Sequence, residues 1–154
     1  GRCGAGAEGA GGGGLEGGLG GAAREATEGA EVIEADVRDA QAVSDACRGA
    51  AVVFHCAAII DTTTRAPAAV RERSFSINVG GTQTVIDACL EQDVERLVQT
   101  SSINVVFAAQ NAGVDESAPL VTDTSPARVD LYSESKARAE VLLLAADGQE
   151  TRGG

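Results

Sequence analysis

Apolar positions return along this chain in two rhythms. From Glu31 onward, short β-branched runs alternate with longer stretches in which apolar residues recur every three or four positions, the texture of strand-helix-strand units. The spacing predicts a strand over residues 31–36, then a helix over 40–48 with Asp39 as its N-cap and Gly49 closing it. A second strand is expected over 51–56. Pro67 suits the start of a long helix whose apolar face is Val79, Thr82, Ile86, Cys89 and Leu90. Residues 96–100 read as a third strand, apolar enough for a parallel sheet covered on both faces. The last helix is expected from about Asp130 to Ala146, with Gly148 at its end and a polar tail over 149–154. The pattern as a whole is α/β, a doubly wound parallel sheet, with residues 31–148 as the folded unit.

Composition changes the picture at the N-terminus. Thirteen of the first thirty residues are Gly, and their only long aliphatics are Leu15 and Leu19, too little apolar surface to offset ordering entropy. Residues 1–30 are therefore expected to be a poorly ordered, low-complexity segment. Met is absent from the 154 residues, so the sequence is expected to be a piece of a longer chain. The net charge of −11, with no basic patch, argues against nucleic-acid binding. The most apolar run, residues 50–60, is far shorter than the roughly 20 residues of a membrane-spanning helix. Cys3, Cys47, Cys56 and Cys89 show no CxxC spacing, and no leader is evident, which points to reduced thiols and a cytoplasmic setting.

The chain has one Tyr and one Lys, and they lie four apart in Tyr132-Ser133-Glu134-Ser135-Lys136. On a helix that spacing puts both side chains on one face. A phenol with its usual pKa of about 10 is a poor acid or base at neutral pH, and an ammonium beside it favours the phenolate. A partly buried Tyr with a Lys snorkelling past it is the plainer account of the same spacing. In an open parallel sheet, ligands bind beyond the carboxyl ends of the strands. Two such ends carry small or hydroxyl residues here, Cys56-Ala57-Ala58 and Thr100-Ser101-Ser102. The second run also reads as polar residues satisfying a strand end. Beside Tyr132 and Lys136, Ser102 is placed to hold a substrate oxygen.

These segments resemble the 3β-hydroxysteroid dehydrogenase/isomerase family of extended short-chain dehydrogenases/reductases. The resemblance rests on EADVRD (34–39), VVFHCAAIID (52–61), NVGGTQTVIDAC (78–89), LVQTSSINVVF (97–107) and YSESKARAE (132–140). It implies a Rossmann-like fold, incomplete here at both ends. It further implies Tyr132 as catalytic acid/base, Lys136 as the group that lowers its pKa and holds the nicotinamide ribose, and Ser102 as third member. Asp36 and Val37 match the adenine-contacting position. Cys56, Ala57 and Ala58 match the stretch along the adenine ribose and pyrophosphate. Thr100 and Ser101 match the cofactor side of the second strand end, and Asn78 the helix Asn that buttresses the centre. The implied cofactor is NAD, with NADP left open. The implied partner is a steroid- or sterol-like small molecule whose 3β-hydroxyl is oxidised, with homodimerisation open. A sugar-nucleotide epimerase or dehydratase, or a reductase of flavonoid-like ketones, would use the same centre. A non-catalytic binding module or defective fragment is the alternative of another class.

The family's fold opens with an apolar strand before a glycine-rich turn, whereas residues 11–17 have the glycines without the strand. His55, next to Cys56, is expected to be a satisfied structural His rather than a metal ligand, and no metal is expected. Cys47 and Cys89 read as small core residues. Asp115, Glu116, Asp123 and Asp130 are expected to be solvated or capping, and Asp61 with Thr62 to Thr64 reads equally as the edge of a ligand cleft or as a plain loop.

Overall fold

A computed structural model describes residues 30–106, 113–122 and 129–149. The glycine-rich opening with Cys3 and residues 11–17, Phe107, Asp123 and the tail from 150 lie outside the described residues. Helix α1 (Ala40–Cys47) starts where Asp39 accepts the Ala42 N–H at 3.1 Å, and it buries Val43, Ser44 and Cys47. Gly49, at φ +72°, turns the chain in a conformation that a Cβ would strain. Strand β1 (Val52–His55) follows, then a continuous helical stretch in three parts. These are α2 (Ala68–Phe75), a π-helical turn (Ser76–Gly80) and α3 (Gly81–Glu91). Strand β2 (Arg96–Gln99) pairs parallel with β1, Val52 opposite Arg96 and His55 opposite Gln99. A 3-10 turn (Ile103–Val106) leads on, and α4 (Leu131–Ala146) closes the order.

Alternation along β1 sends Val53 and His55 to one face and Phe54 to the other. On the first face Val53 joins Val37, Val43, Cys47, Val85, Ala88, Cys89 and Val94 in the main core, where α1 and α3 meet. Cys47 and Cys89 are core residues, as expected. Phe54 and Val98, opposite each other in the register, are 63% and 43% exposed. The expectation of two covered faces is thus corrected, since only the Val53 face is covered by described elements. The strand expected over 31–36 is also absent. A strand needs a ladder partner, and among the described residues β1 and β2 pair only with each other.

Two close contacts fix the helices over the sheet. Gly81 opens α3 against Val37, so closely that a Cβ on it would lie 2.5 Å from Val37 Cγ1. A second cluster of Val105, Val121 and Ala137 seats the 3-10 turn on α4, and the Val121 N–H donates to the Val105 C=O at 2.8 Å. Among the described residues no helix is long and apolar enough to cross a membrane.

Candidate active site

The first turn of α4 is held from three directions. Asp130, its N-cap, accepts the Ser133 N–H at 2.9 Å and the Ser133 hydroxyl at 2.8 Å. The two amides before it are satisfied by the loop after β1: Leu131 N–H donates to Thr63 C=O at 3.2 Å, and Tyr132 N–H to Asp61 C=O at 2.8 Å. Asp61 Oδ1 in turn accepts the Thr63 N–H at 2.9 Å, tightening that loop. The loop after β1 therefore sets where α4 begins and so where Tyr132 sits in its first turn.

Asn78 is the hub between β1 and α4. Buried at 2% exposure, it accepts the Ile59 N–H at 2.9 Å and donates to the Ile59 C=O at 3.0 Å and to Ser135 Oγ at 2.8 Å. Ser135 Oγ donates onward to the Tyr132 C=O at 3.0 Å. One amide thus ties the run leaving β1 to the helix turn that carries Tyr132. The π-helical turn around Asn78 departs from regular spacing at a place that bears such a contact.

Lys136 is 4% exposed, and its ammonium donates to the Thr100 C=O beyond the end of β2. Burial lowers its pKa from the ordinary 10.5, while the neighbouring Cys56 and Glu140 pull the other way. Thr100 N–H donates to the His55 C=O at 3.1 Å, which keeps the two strand ends together. Ser101 hydrogen-bonds Glu140 of α4, and Ser102 Oγ accepts the Asn104 N–H at 3.2 Å at the start of the 3-10 turn. Cys56 is exposed, and Ala57 and Ala58 are half-buried. Lys136 of α4, one turn after Tyr132, is thereby gathered with Cys56, Thr100 and Ser101 at one end of the sheet.

Other residues singled out in the sequence lie elsewhere or serve differently. The Val37 side chain is buried under Gly81. Asp36 is exposed, and Arg38 grips its carboxylate with Nε at 2.9 Å from Oδ1 and Nη2 at 2.5 Å from Oδ2. Those hydrogen bonds hold the Asp36 pKa down to about 2. His55 is buried at 4% exposure beside Thr82 rather than turned to a ligand. Among the described residues no three His, Cys, Asp or Glu side chains gather as metal ligands. Asp115 accepts the Ser117 N–H and hydroxyl in an exposed turn.

Sequence spacing gives no sign of one further group. Glu134, between Tyr132 and Lys136, binds Arg71 of α2, a partner 63 residues away. The available signal was a carboxylate set among small residues on the helix side opposite the Tyr-Lys pair.

The donor set suits a dinucleotide at the carboxyl ends of the strands, with small residues leaving β1, hydroxyls leaving β2 and one buried ammonium. Comparison with known proteins agrees with that arrangement. Residues 22–154 match the 3-beta hydroxysteroid dehydrogenase/isomerase family. The chain is 40% identical over 121 residues to a 3 beta-hydroxysteroid dehydrogenase/Delta 5-->4-isomerase of Mycobacterium tuberculosis, covering 77% of this chain and 32% of that protein. It is 39% identical, again over 77% of its length, to a 3beta-hydroxysteroid-dehydrogenase/decarboxylase of Arabidopsis thaliana, of which it covers 26%. The chain thus spans about a third or less of the length of these curated relatives. Among solved structures it resembles a short-chain dehydrogenase/reductase superfamily protein from Agrobacterium tumefaciens with bound NAD (TM-score 0.64, 28% identity, 80% of this chain and 35% of that one). It also resembles a dTDP-glucose 4,6-dehydratase from Streptomyces venezuelae with NAD bound (TM-score 0.63, 26% identity, 75% and 33%). The fold is the Rossmann-like α/β fold of these proteins.

Proposed function

Because the chain belongs to the 3-beta hydroxysteroid dehydrogenase/isomerase family, we propose that it carries the acid-base centre of an NAD-dependent oxidoreductase acting on a steroid- or sterol-type secondary alcohol. The observation that carries this reading is the seating of Lys136. Its ammonium is buried and fixed on the Thr100 C=O at the end of β2, one helical turn from Tyr132. The steroid dehydrogenase names of the relatives support the substrate class, and the NAD held by the solved neighbours supports the cofactor.

NAD, when bound, supplies the acceptor for the hydride leaving the carbinol carbon. Tyr132 accepts the hydroxyl proton as the ketone forms, and the Lys136 ammonium stabilises the phenolate that must be present to do so. Ser102 Oγ holds the substrate oxygen, its own position set by the Asn104 N–H. Lys136 also holds the nicotinamide ribose. Cys56, Ala57 and Ala58 leave room for a dinucleotide along the end of β1, and Thr100 and Ser101 flank it on β2. The Asp36 carboxylate, held by Arg38, receives the adenine edge, with Val37 shaping the same place from beneath. Asn78 buttresses the centre by keeping the β1 exit and α4 in register.

Likeness to a dTDP-glucose 4,6-dehydratase favours a second reading, a sugar-nucleotide dehydratase or epimerase using the same centre. Incubating the chain with NAD and either a 3β-hydroxysteroid or a UDP-sugar separates the two by NADH formation or by conversion of the sugar. Tyr132→Phe is expected to lower the turnover roughly 10²- to 10⁴-fold while leaving the thermal melt in place. Full activity in that variant would sink the mechanism. Turnover of neither substrate, with no dinucleotide raising the melt, would leave a non-catalytic module.

A further inference from the structure

The two sides of α4 carry different chemistry. At roughly 100° per residue, Tyr132 and Lys136 fall within about 40° of each other, whereas Glu134 and Arg138 lie on the opposite side. That back side faces α2. Glu134, its side chain 9% exposed, takes Arg71 with both carboxylate oxygens: Nη2 to Oε1 at 2.8 Å and Nη1 to Oε2 at 3.0 Å. Arg138, one turn further along α4, adds Nη2 to Oε1 at 3.0 Å. Two guanidinium groups thus share one carboxylate. Both guanidinium groups also lie over Phe75, whose ring centre is 4.5 Å from Arg71 Cζ and 5.0 Å from Arg138 Cζ. Phe75 is the last residue of α2, next to the π-helical turn that holds Asn78.

We propose that Glu134, clamped between Arg71 and Arg138 against Phe75, is a positioning residue that fixes the rotation of α4, so that Tyr132 and Lys136 face the strand ends. The proposal rests on the reading of Tyr132 and Lys136 as the catalytic pair. An apolar contact of equal size would hold α4 down as well, since breaking even with hydrophobic packing is the usual outcome for a partly buried ion pair. What a two-toothed Arg-carboxylate contact adds is a fixed angle, because the planar guanidinium and the carboxylate meet in one orientation. Asn78 and Ser135 tie α4 to the same helical stretch by a second point. With both points made, α4 can neither roll nor slide against it.

The test uses Glu134→Gln, with Arg71→Lys as a second variant that keeps the charge and loses the fork. The chain has one Tyr and no Trp, so its tyrosine emission reports Tyr132 alone. Expected in Glu134→Gln are a cooperative melt, a kcat lowered roughly tenfold to a hundredfold with KM little changed, and emission quenched by acrylamide about twice as readily, a rough consequence of a rolled helix face. Arg71→Lys should move kcat and quenching in the same directions, and it carries the test if the Gln variant does not fold. Unchanged kcat and quenching in a folded variant, or in Arg71→Lys a loss of activity matched by a loss of folded protein, would overturn the clamp. If the unmodified chain turns over neither substrate but quenching still rises in the variants, the catalytic reading fails while the clamp on Tyr132 stands.

Discussion

His55 Nε2 lies 2.9 Å from Thr82 Oγ1, and that hydroxyl already donates its single proton to the Asn78 C=O at 2.7 Å. The imidazole is therefore the donor in this pair, with a proton on Nε2. Burial, and secondarily the Lys136 ammonium, lower its pKa from 6.5 to about 4. As pH falls, the unfolded chain takes up this proton first, so stability drops from about pH 6.5 down to about pH 4 and is independent of His55 below that. The full loss is about 3 kcal/mol. Glu134, which Arg71 holds below its ordinary 4.5, keeps its stabilisation above that value and loses it only in more acid solution. Denaturant melts between pH 7 and 4.5 should show a decline that His55→Gln flattens, and a flat profile for the unmodified chain would contradict the assignment.

Gly81→Ala should destabilise by roughly 1–3 kcal/mol, because its methyl would meet Val37 Cγ1 and a β-branched side chain cannot easily turn away. Val37→Ala alone also costs stability, by leaving a cavity. The double variant should lose less than the sum of the two, a coupling that chemical denaturation of all four proteins measures.

Asn78→Ala should cost roughly 2–4 kcal/mol, since it strands both backbone groups of Ile59 in a site that water does not reach freely. Ser135→Ala should cost only about 1 kcal/mol, because Asn78 keeps its two bonds to Ile59. Equal losses in the two variants, read from urea midpoints, would mean that the hub lies at Ser135 instead.

The cofactor proposal predicts that NAD raises the melting temperature, by the equivalent of about 2.7 kcal/mol at a hundred times its Kd. Asp36→Ala should shrink that rise without lowering the melt of the free chain much, as the Asp36–Arg38 pair is exposed. A melt indifferent to NAD, NADP and their reduced forms would remove the cofactor from the proposal.

Local chemistry made much of this legible in the sequence. Asp39, Gly49, Asp130 and Gly148 mark helix ends through their own side-chain oxygens or their lack of a Cβ, and each sits at the end it marks. The Tyr132–Lys136 spacing likewise needs only one helix to be meaningful. What was not legible depends on partners far along the chain. Residues 31–36 have a strand's composition, but a ladder is a property of two segments. Arg71 and Glu134 meet only once α2 and α4 are packed, and no periodicity in either helix announces it. The π-helical turn escaped for a related reason: Val79, Thr82, Ile86 and Cys89 keep an ordinary helical rhythm while the backbone bonds beneath them change.

The amide of Tyr132 is bonded to Asp61, a residue from the loop beyond β1 that precedes two helices and a strand in the chain. The start of α4 therefore has no complete set of partners until β1, the long helical stretch and β2 have come together, and closing so large a loop is entropically slow. The Tyr132 amide is therefore expected to gain exchange protection only after the sheet has formed, which pulsed hydrogen exchange during refolding checks. Chemistry at this centre would then be switched on only in molecules whose sheet is already assembled, so that a misfolded chain carries Tyr132 and Lys136 without a frame to use them.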